Sequence, residues 1–360
     1  MMAVLLRYTL LLSNAVFVPS VCASTHPALI ASIVIGAILL VFLWFEISLG
    51  RVLFRYATKP PEGQTIQGSV SYVSEETVAY FESAKKVKEE LLTGGETELE
   101  IERDGLKLRG VYIPAFPGSV ENCAFGNGCV ILVHGWRDTS GARILDARPY
   151  LEEGISVFLP SLRGHNLSEG KRIDIGCKHY DDLFVWMDEL DRRLDANAPE
   201  WYVLDGLSMG ASAVLTASGD EQLPKKVVAV ISDCAFTSLI DQGKWLTRGI
   251  SPILRVPAFF FAKIFFYFMQ GYRRHDPTAL SNVAKATVPI FIIHGSGDKF
   301  VPTWMSQQLF EACSSEIKEY WVVEGAQHAL SAFVAGPEYP RRKLSFIGRA
   351  IAKRYGTNTL

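Results

Sequence analysis

Hydrophobic and polar positions divide the chain near residue 60. Residues 8–25, YTLLLSNAVFVPSVCAST, carry no charge, and neither does ALIASIVIGAILLVFLWF at 28–45. The second run has no polar face. With its flanks it reaches the roughly 20 residues that cross a bilayer, which predicts a transmembrane helix over 28–50. The first run, within 1–27, leaves two readings open: a signal peptide ending at the small residues before Ser24, or a first membrane helix hairpinned with the second. Arg51, Arg55 and Lys59 follow the second run, and nothing basic separates the two. By the positive-inside rule this bias sets the carboxyl-terminal domain on the cytoplasmic side.

Residues 51–96 read as a linker with a lead-in helix, EETVAYFESAKKVKEELL at 75–92. ELEIERDGLKLRGVYIPA then alternates apolar and polar residues across Asp104-Gly105, the pattern of two antiparallel strands joined by a tight turn. After it, short apolar runs alternate with helical patterns. CVILVHG (129–135) precedes a helix near 140–153, ISVFLPS (155–161) one near 178–196, and WYVLDG (201–206) one opening at Ser208. KVVAVISDC (226–234) leads into an insertion at 237–286. VPIFIIHG (288–295) precedes a helix near 303–314, and EYWVVEG (319–325) a last one near 338–354. Strands apolar on both faces, alternating with helices, predict a mostly parallel eight-stranded sheet covered on both sides. In such sheets ligands sit beyond the carboxyl ends of the strands, so those ends are where chemistry is sought.

Composition narrows the classes. With 36 basic and 38 acidic residues the formal net charge is −2, without the basic excess a nucleic-acid partner requires. Six cysteines in 360 residues are too few for a disulfide scaffold. Cys123 and Cys129 are the close pair; a local disulfide and two separate thiols both fit, and no zinc-binding spacing surrounds them.

Four strand ends carry compatible chemistry. GLSMG (206–210) places Ser208 between Gly206 and Gly210, between an apolar strand and an Ala-rich helix, where a strained turn exposes a nucleophile. The N–H of Met209 then opens the helix, aimed at developing negative charge. VILVHGWRD puts Gly135 where the chain turns, so that the N–H of Trp136 can be a second oxyanion donor. FIIHGSGDKFVP sets Asp298 after a late strand, and VVEGAQHAL sets His328 after the last. The imidazole would act as base, the carboxylate as its orienting partner. His134, His165, His179, His275 and His294 read as structural, and Asp233 is the rival to Asp298.

These motifs, HGW, SLRGHNLSEG, GLSMGA, HGSGDKFVP and EGAQHAL, resemble in order and spacing those of the α/β-hydrolase superfamily, in its monoacylglycerol-lipase-like and serine-aminopeptidase-like branch. With GYRRHDP and the amino-terminal apolar segment, the chain looks most like the YqkD-like membrane-anchored hydrolases. The resemblance covers about 97–354. It implies an α/β-hydrolase fold, catalytic roles for Ser208, Asp298 and His328, and oxyanion donors at Trp136 and Met209; it implies no substrate. The branch often has Asp where Ser161 stands, a position expected to be structural.

The insertion contains ISPILRVPAFFFAKIFFYFMQGY, rich in phenylalanine between 259 and 268. It is expected to form a helical cap, either an acyl-binding lid or packing alone. Pro257 and Lys263 are expected to break it before it could span a membrane. The reading that follows is a membrane-anchored serine hydrolase acting on a small-molecule acyl ester, with no metal or organic cofactor implied. A peptidase of the same fold would need a carboxylate cluster for the substrate amine, and the sequence shows none that stands out. A non-catalytic binding protein would be expected to lack one triad member, and all three are present. An acyltransferase through the same acyl-enzyme stays open.

Overall fold

The structure, a computed structural model, describes residues 27–60, 83, 86, 87, 89–91, 95–116, 118, 119, 123–175 and 178–356. The expectations for the signal peptide or first membrane helix, and most of the lead-in helix, fall outside these residues. Helix α1 spans Pro27–Thr58. Strands β1 (Thr97–Arg103) and β2 (Leu106–Ile113) then pair antiparallel across Asp104 and Gly105, whose φ angles of 52° and 71° are those of a two-residue hairpin turn. The remaining strands are β3 (Gly128–Val133), β4 (Ser156–Pro160), β5 (Trp201–Leu207), β6 (Val227–Asp233), β7 (Ile290–Gly295) and β8 (Lys318–Val323). They form one eight-stranded sheet in the order β1-β2-β4-β3-β5-β6-β7-β8, antiparallel for its first two pairings and parallel thereafter.

Alternation along the strands builds two cores. Ile131, Val133, Phe158, Tyr202 and Leu204 face one side of the sheet, with Leu183, Trp186 and Leu190 of α2 below (Asp182–Leu194). Val130, Leu132, Val157, Val203 and Phe291 face the other, with Phe346 and Ile347 of α3 below (Glu338–Tyr355). The same alternation separates the cysteine pair. Cys129 points into the first core, whereas Cys123 packs on the second, so the sheet lies between them and both are free thiols.

Under the sheet, buried Asp205 accepts from Lys343 Nζ at 2.8 Å, Arg143 Nη2 at 3.0 Å and Tyr150 Oη at 2.9 Å. Burial alone would raise its carboxyl; the Lys343 and Arg143 charges outweigh that and hold it below the usual range. Removing one member leaves charge buried without its counterpart. Lys343→Met is therefore expected to lower the unfolding free energy by about 3 kcal/mol or more in chemical denaturation.

The insertion between β6 and β7 carries α4 (Leu239–Leu246), α5 (Pro252–Gln270) and the short α6 (Ala279–Val283). Here two expectations need correction. Helix α5 is continuous for 19 residues: Pro257 and Lys263 do not break it. Pro252 occupies the first turn, where its missing N–H costs nothing, and Pro257 removes only one further donor while packing against α1 holds the rest. Lys263 stays exposed on its flexible stem. Helix α1, in turn, runs eight residues past the expected end at 50, stopping just before Lys59-Pro60. Its last turns lie along α5. A side chain at Gly50 would come within 2.6 Å of Phe261 Cβ, and Phe54 stacks on Phe265 and meets Phe266 edge to face. Both α1 and α5 are long and apolar enough to cross a membrane. The carboxyl-terminal end of α5, however, is tied to the domain through Gln270 Nε2 to the Ile173 carbonyl, and the preceding α4 through Gln242 Nε2 to the Phe300 carbonyl.

Candidate active site

Ser208 stands between β5 and α7 (Met209–Ser218) with φ 55° and ψ −112°, a conformation non-glycine residues avoid. The surroundings leave it no alternative. The Ser208 N–H donates to the Asp233 carbonyl at 2.8 Å. A side chain at Gly210 would sit 2.4 Å from the Val133 carbonyl oxygen, and one at Gly206 would sit 2.4 Å from the Gly210 carbonyl oxygen. Two glycines thus let strand, turn and helix close to backbone contact, which lifts the Ser208 side chain above the sheet.

Ser208 Oγ lies 2.8 Å from His328 Nε2, and His328 Nδ1 lies 2.6 Å from Asp298 Oδ2. With the carboxylate as acceptor, Nδ1 carries the proton and Nε2 faces the hydroxyl as acceptor. Asp298 Oδ1 accepts from the backbone N–H groups of Phe300 at 2.9 Å and Val301 at 2.8 Å. Burial would raise the Asp298 carboxyl, but the His328 charge and hydrogen bonds from His294 and His328 outweigh it and hold it at about 2. All three side chains are buried.

The structure brings together Ser208, Asp298 and His328, which stand 120 and 30 residues apart along the chain in their two pairings. Met209 opens α7. Gly135 faces Ser208, where an added Cβ would lie 3.5 Å from Ser208 Cβ, so the Gly135-Trp136 turn borders Ser208. Asp233 takes no part in this chain of bonds: its carboxylate accepts from Ser331 Oγ and Tyr339 Oη, both at 2.9 Å, and burial raises it. His134 and His165 pack edge to face with ring centroids 4.7 Å apart. Each accepts a backbone N–H at Nε2, from Leu162 and Arg137 respectively, and burial lowers both, His165 to about 4. They are neutral supports of the loops.

One contact escaped sequence reasoning. His294 Nε2 lies 3.3 Å from Asp298 Oδ2, the oxygen that also meets His328 Nδ1, and 2.9 Å from the Val301 carbonyl, so it steadies the Asp298 carboxylate. Its four-residue spacing from Asp298 was the available signal. Cys234 Sγ also comes within 4.8 Å of Asp298 and His328. Both ring nitrogens of His328 are already engaged and burial keeps the thiol protonated, so these residues fit a proton relay and not a metal ligand set. Above the site, Met209, Phe236 and Val301 form an apolar wall with Trp136, Trp245, Phe266 and Phe300.

A parallel sheet with a serine on a strained strand-to-helix turn defines a hydrolase architecture. The chain belongs to the alpha/beta hydrolase family, whose model matches residues 130–341. Two uncharacterized bacterial proteins are similar to it. YqkD of Bacillus subtilis is 26% identical over 182 residues, 51% of this chain and 58% of the Bacillus protein. YfhR of Salmonella typhimurium is 29% identical over 231 residues, 63% of this chain and 72% of its own. The match thus spans little more than half the length of YqkD. The Pyrococcus furiosus esterase Pf2001 superposes with a TM-score of 0.57 at 21% identity, covering 81% of this chain and 98% of the esterase. The alpha/beta hydrolase GrgF from a Penicillium species gives 0.51 at 19% identity, covering 72% and 99%. At these identities the structural likeness concerns the fold.

Proposed function

We propose that the protein is a membrane-anchored serine hydrolase that cleaves carboxylic esters with lipophilic acyl groups. The observation that carries this reading is the unbroken hydrogen-bond chain from Ser208 Oγ through His328 to Asp298, at 2.8 and 2.6 Å. Ser208 Oγ attacks the ester carbonyl while His328 Nε2 takes its proton. Asp298 stabilises the imidazolium, and the N–H groups of Met209 and Trp136 hold the oxyanion. Collapse expels the alcohol, protonated by His328, and leaves an acyl-Ser208 ester. Water, deprotonated by the same imidazole, attacks that ester; acid is released and the Ser208 hydroxyl is restored.

The acyl preference follows from the apolar wall beside Met209, to which Phe266 of α5 contributes. Helices α4 and α5 form the cap over this wall. Helix α1 crosses the bilayer with Arg51, Arg55 and Lys59 on the cytoplasmic side. Helix α5, held at its carboxyl-terminal end by the domain, lies along the bilayer surface, its exposed Ile253, Val256 and Phe260 facing the lipid. The test is a fluorophosphonate probe and a series of p-nitrophenyl esters from acetyl to long-chain, applied to the full chain in nanodiscs. Labelling and a kcat/KM that rises about tenfold or more with chain length are expected, since each buried methylene contributes about 0.8 kcal/mol. Equal rates on acetyl and long-chain esters would refute the lipophilic preference, and an unlabelled protein would refute the nucleophile.

A further inference from the structure

The carboxyl-terminal end of α1 raises a question of hydrogen-bond accounting. The last four carbonyls of a helix have no partner within it. In α1 the Arg55 carbonyl accepts from the Lys59 N–H at 2.9 Å, and the other three are met by the hydrolase domain. Tyr56 O accepts from Arg137 Nη2 at 2.9 Å, Ala57 O from Trp136 Nε1 at 2.8 Å, and Thr58 O from the Ile173 N–H at 2.8 Å. Arg137 Nε reaches on to the Lys59 carbonyl at 3.3 Å. A guanidinium at the negative end of a helix is also favoured by the helix dipole. Its Cζ lies 4.5 Å from the centroid of the Trp136 ring and 5.2 Å from that of Tyr56.

Trp136 and Arg137 are the residues that follow Gly135, which faces Ser208. Arg137 adopts φ 56°, so this turn is held by its surroundings and not by its own preference. From the inner side its N–H reaches His165 Nε2 at 3.3 Å; from the outer side the grip comes from α1. The Trp136 ring stacks on Phe300, whose ring centroid lies 4.9 Å from that of His328.

We propose that the last turn of the membrane helix is a working part of the active site: residues 56–59 position the Gly135-Trp136-Arg137 turn so that the Trp136 N–H meets the oxyanion. Tyr56, Ala57 and Lys59 are positioning residues, and the helix is more than a tether. The inference rests on the serine-hydrolase reading.

The test uses the full chain in nanodiscs. Trp136→Phe keeps the aromatic stack and the backbone N–H but removes the donor to Ala57. Arg137→Met removes the guanidinium, and Arg137→Lys restores a single donor. The doubly substituted Trp136→Phe/Arg137→Met protein is expected to lose about 10- to 100-fold in kcat on a short soluble ester, up to the roughly 10²-fold lower end of what losing an oxyanion donor outright costs. KM should change less than about threefold, fluorophosphonate labelling should slow in proportion to kcat, and Arg137→Lys should lose less than Arg137→Met. Tyr56→Ala, at an exposed ring, covers the case in which the double variant fails to fold, with an expected loss of about threefold in kcat. Wild-type kcat and labelling rate in folded variants would overturn the inference while leaving the serine-hydrolase reading intact. A wild-type chain that neither labels nor hydrolyses would overturn both.

Discussion

Ser208→Ala is expected to abolish covalent labelling by a fluorophosphonate and to lower ester turnover by about 10⁴-fold or more, the scale of losing a nucleophile whose partners act only through it. The loss comes from one atom. Oγ is the group 2.8 Å from His328 Nε2, and without it the imidazole has no hydroxyl proton to take and the carboxylate no imidazolium to stabilise. The fold should survive, because the turn is set by the backbone contacts of Gly206 and Gly210 and by the Ser208 N–H to the Asp233 carbonyl. Unchanged circular dichroism and denaturation midpoint separate loss of chemistry from loss of structure. Persistent labelling at the wild-type rate would mean that another residue is the nucleophile.

Asp298→Asn is expected to lower kcat by about 10⁴-fold, the magnitude found when the acid of such a triad becomes an amide. The carboxylate accepts from His328 Nδ1 at 2.6 Å; an amide nitrogen turned toward the ring would favour the opposite tautomer, with the proton on Nε2 facing Ser208. Asp233→Asn is the control and should cost less than about tenfold, since Asp233 bonds Ser331 and Tyr339 instead. The two Asp298 proteins should also differ in their dependence on pH. The folded-state carboxyl is depressed to about 2, from an unfolded value of about 3.9. Its ionisation therefore stabilises the fold above about pH 4 and ceases to do so as pH falls through about 2. The stability difference between wild type and Asp298→Asn is expected to be constant above pH 5 and to shrink between about pH 4 and pH 2. A difference that grows on acidification would refute the assignment of the depressed carboxyl.

Much of the fold was legible because it is local. Period-two alternation across Asp104-Gly105 located the β1–β2 hairpin, and the wholly apolar runs marked the buried parallel strands to within a residue or two. The glycines of GLSMG marked the strained turn, since few other residues permit that approach of backbones. Misreadings arose where packing overruled a local rule. Pro257 suggests a break, yet α5 continues because α1 supports it. The helix expected to end at 50 continues to Thr58, because its final carbonyls find donors in Trp136, Arg137 and Ile173.

By itself the amino-acid sequence determined the fold class, the order of the strand ends and which polar residues stand at them, because periodicity and turn chemistry act over a few residues. The tertiary structure alone decided which of them meet. It brought His328 to Ser208 across 120 residues and turned Asp298, not Asp233, toward the imidazole. It also set His294 beside Asp298 and joined the end of α1 to the turn bordering Ser208. Contacts of this kind depend on loop closure and side-chain direction over long separations, which no short stretch of sequence encodes.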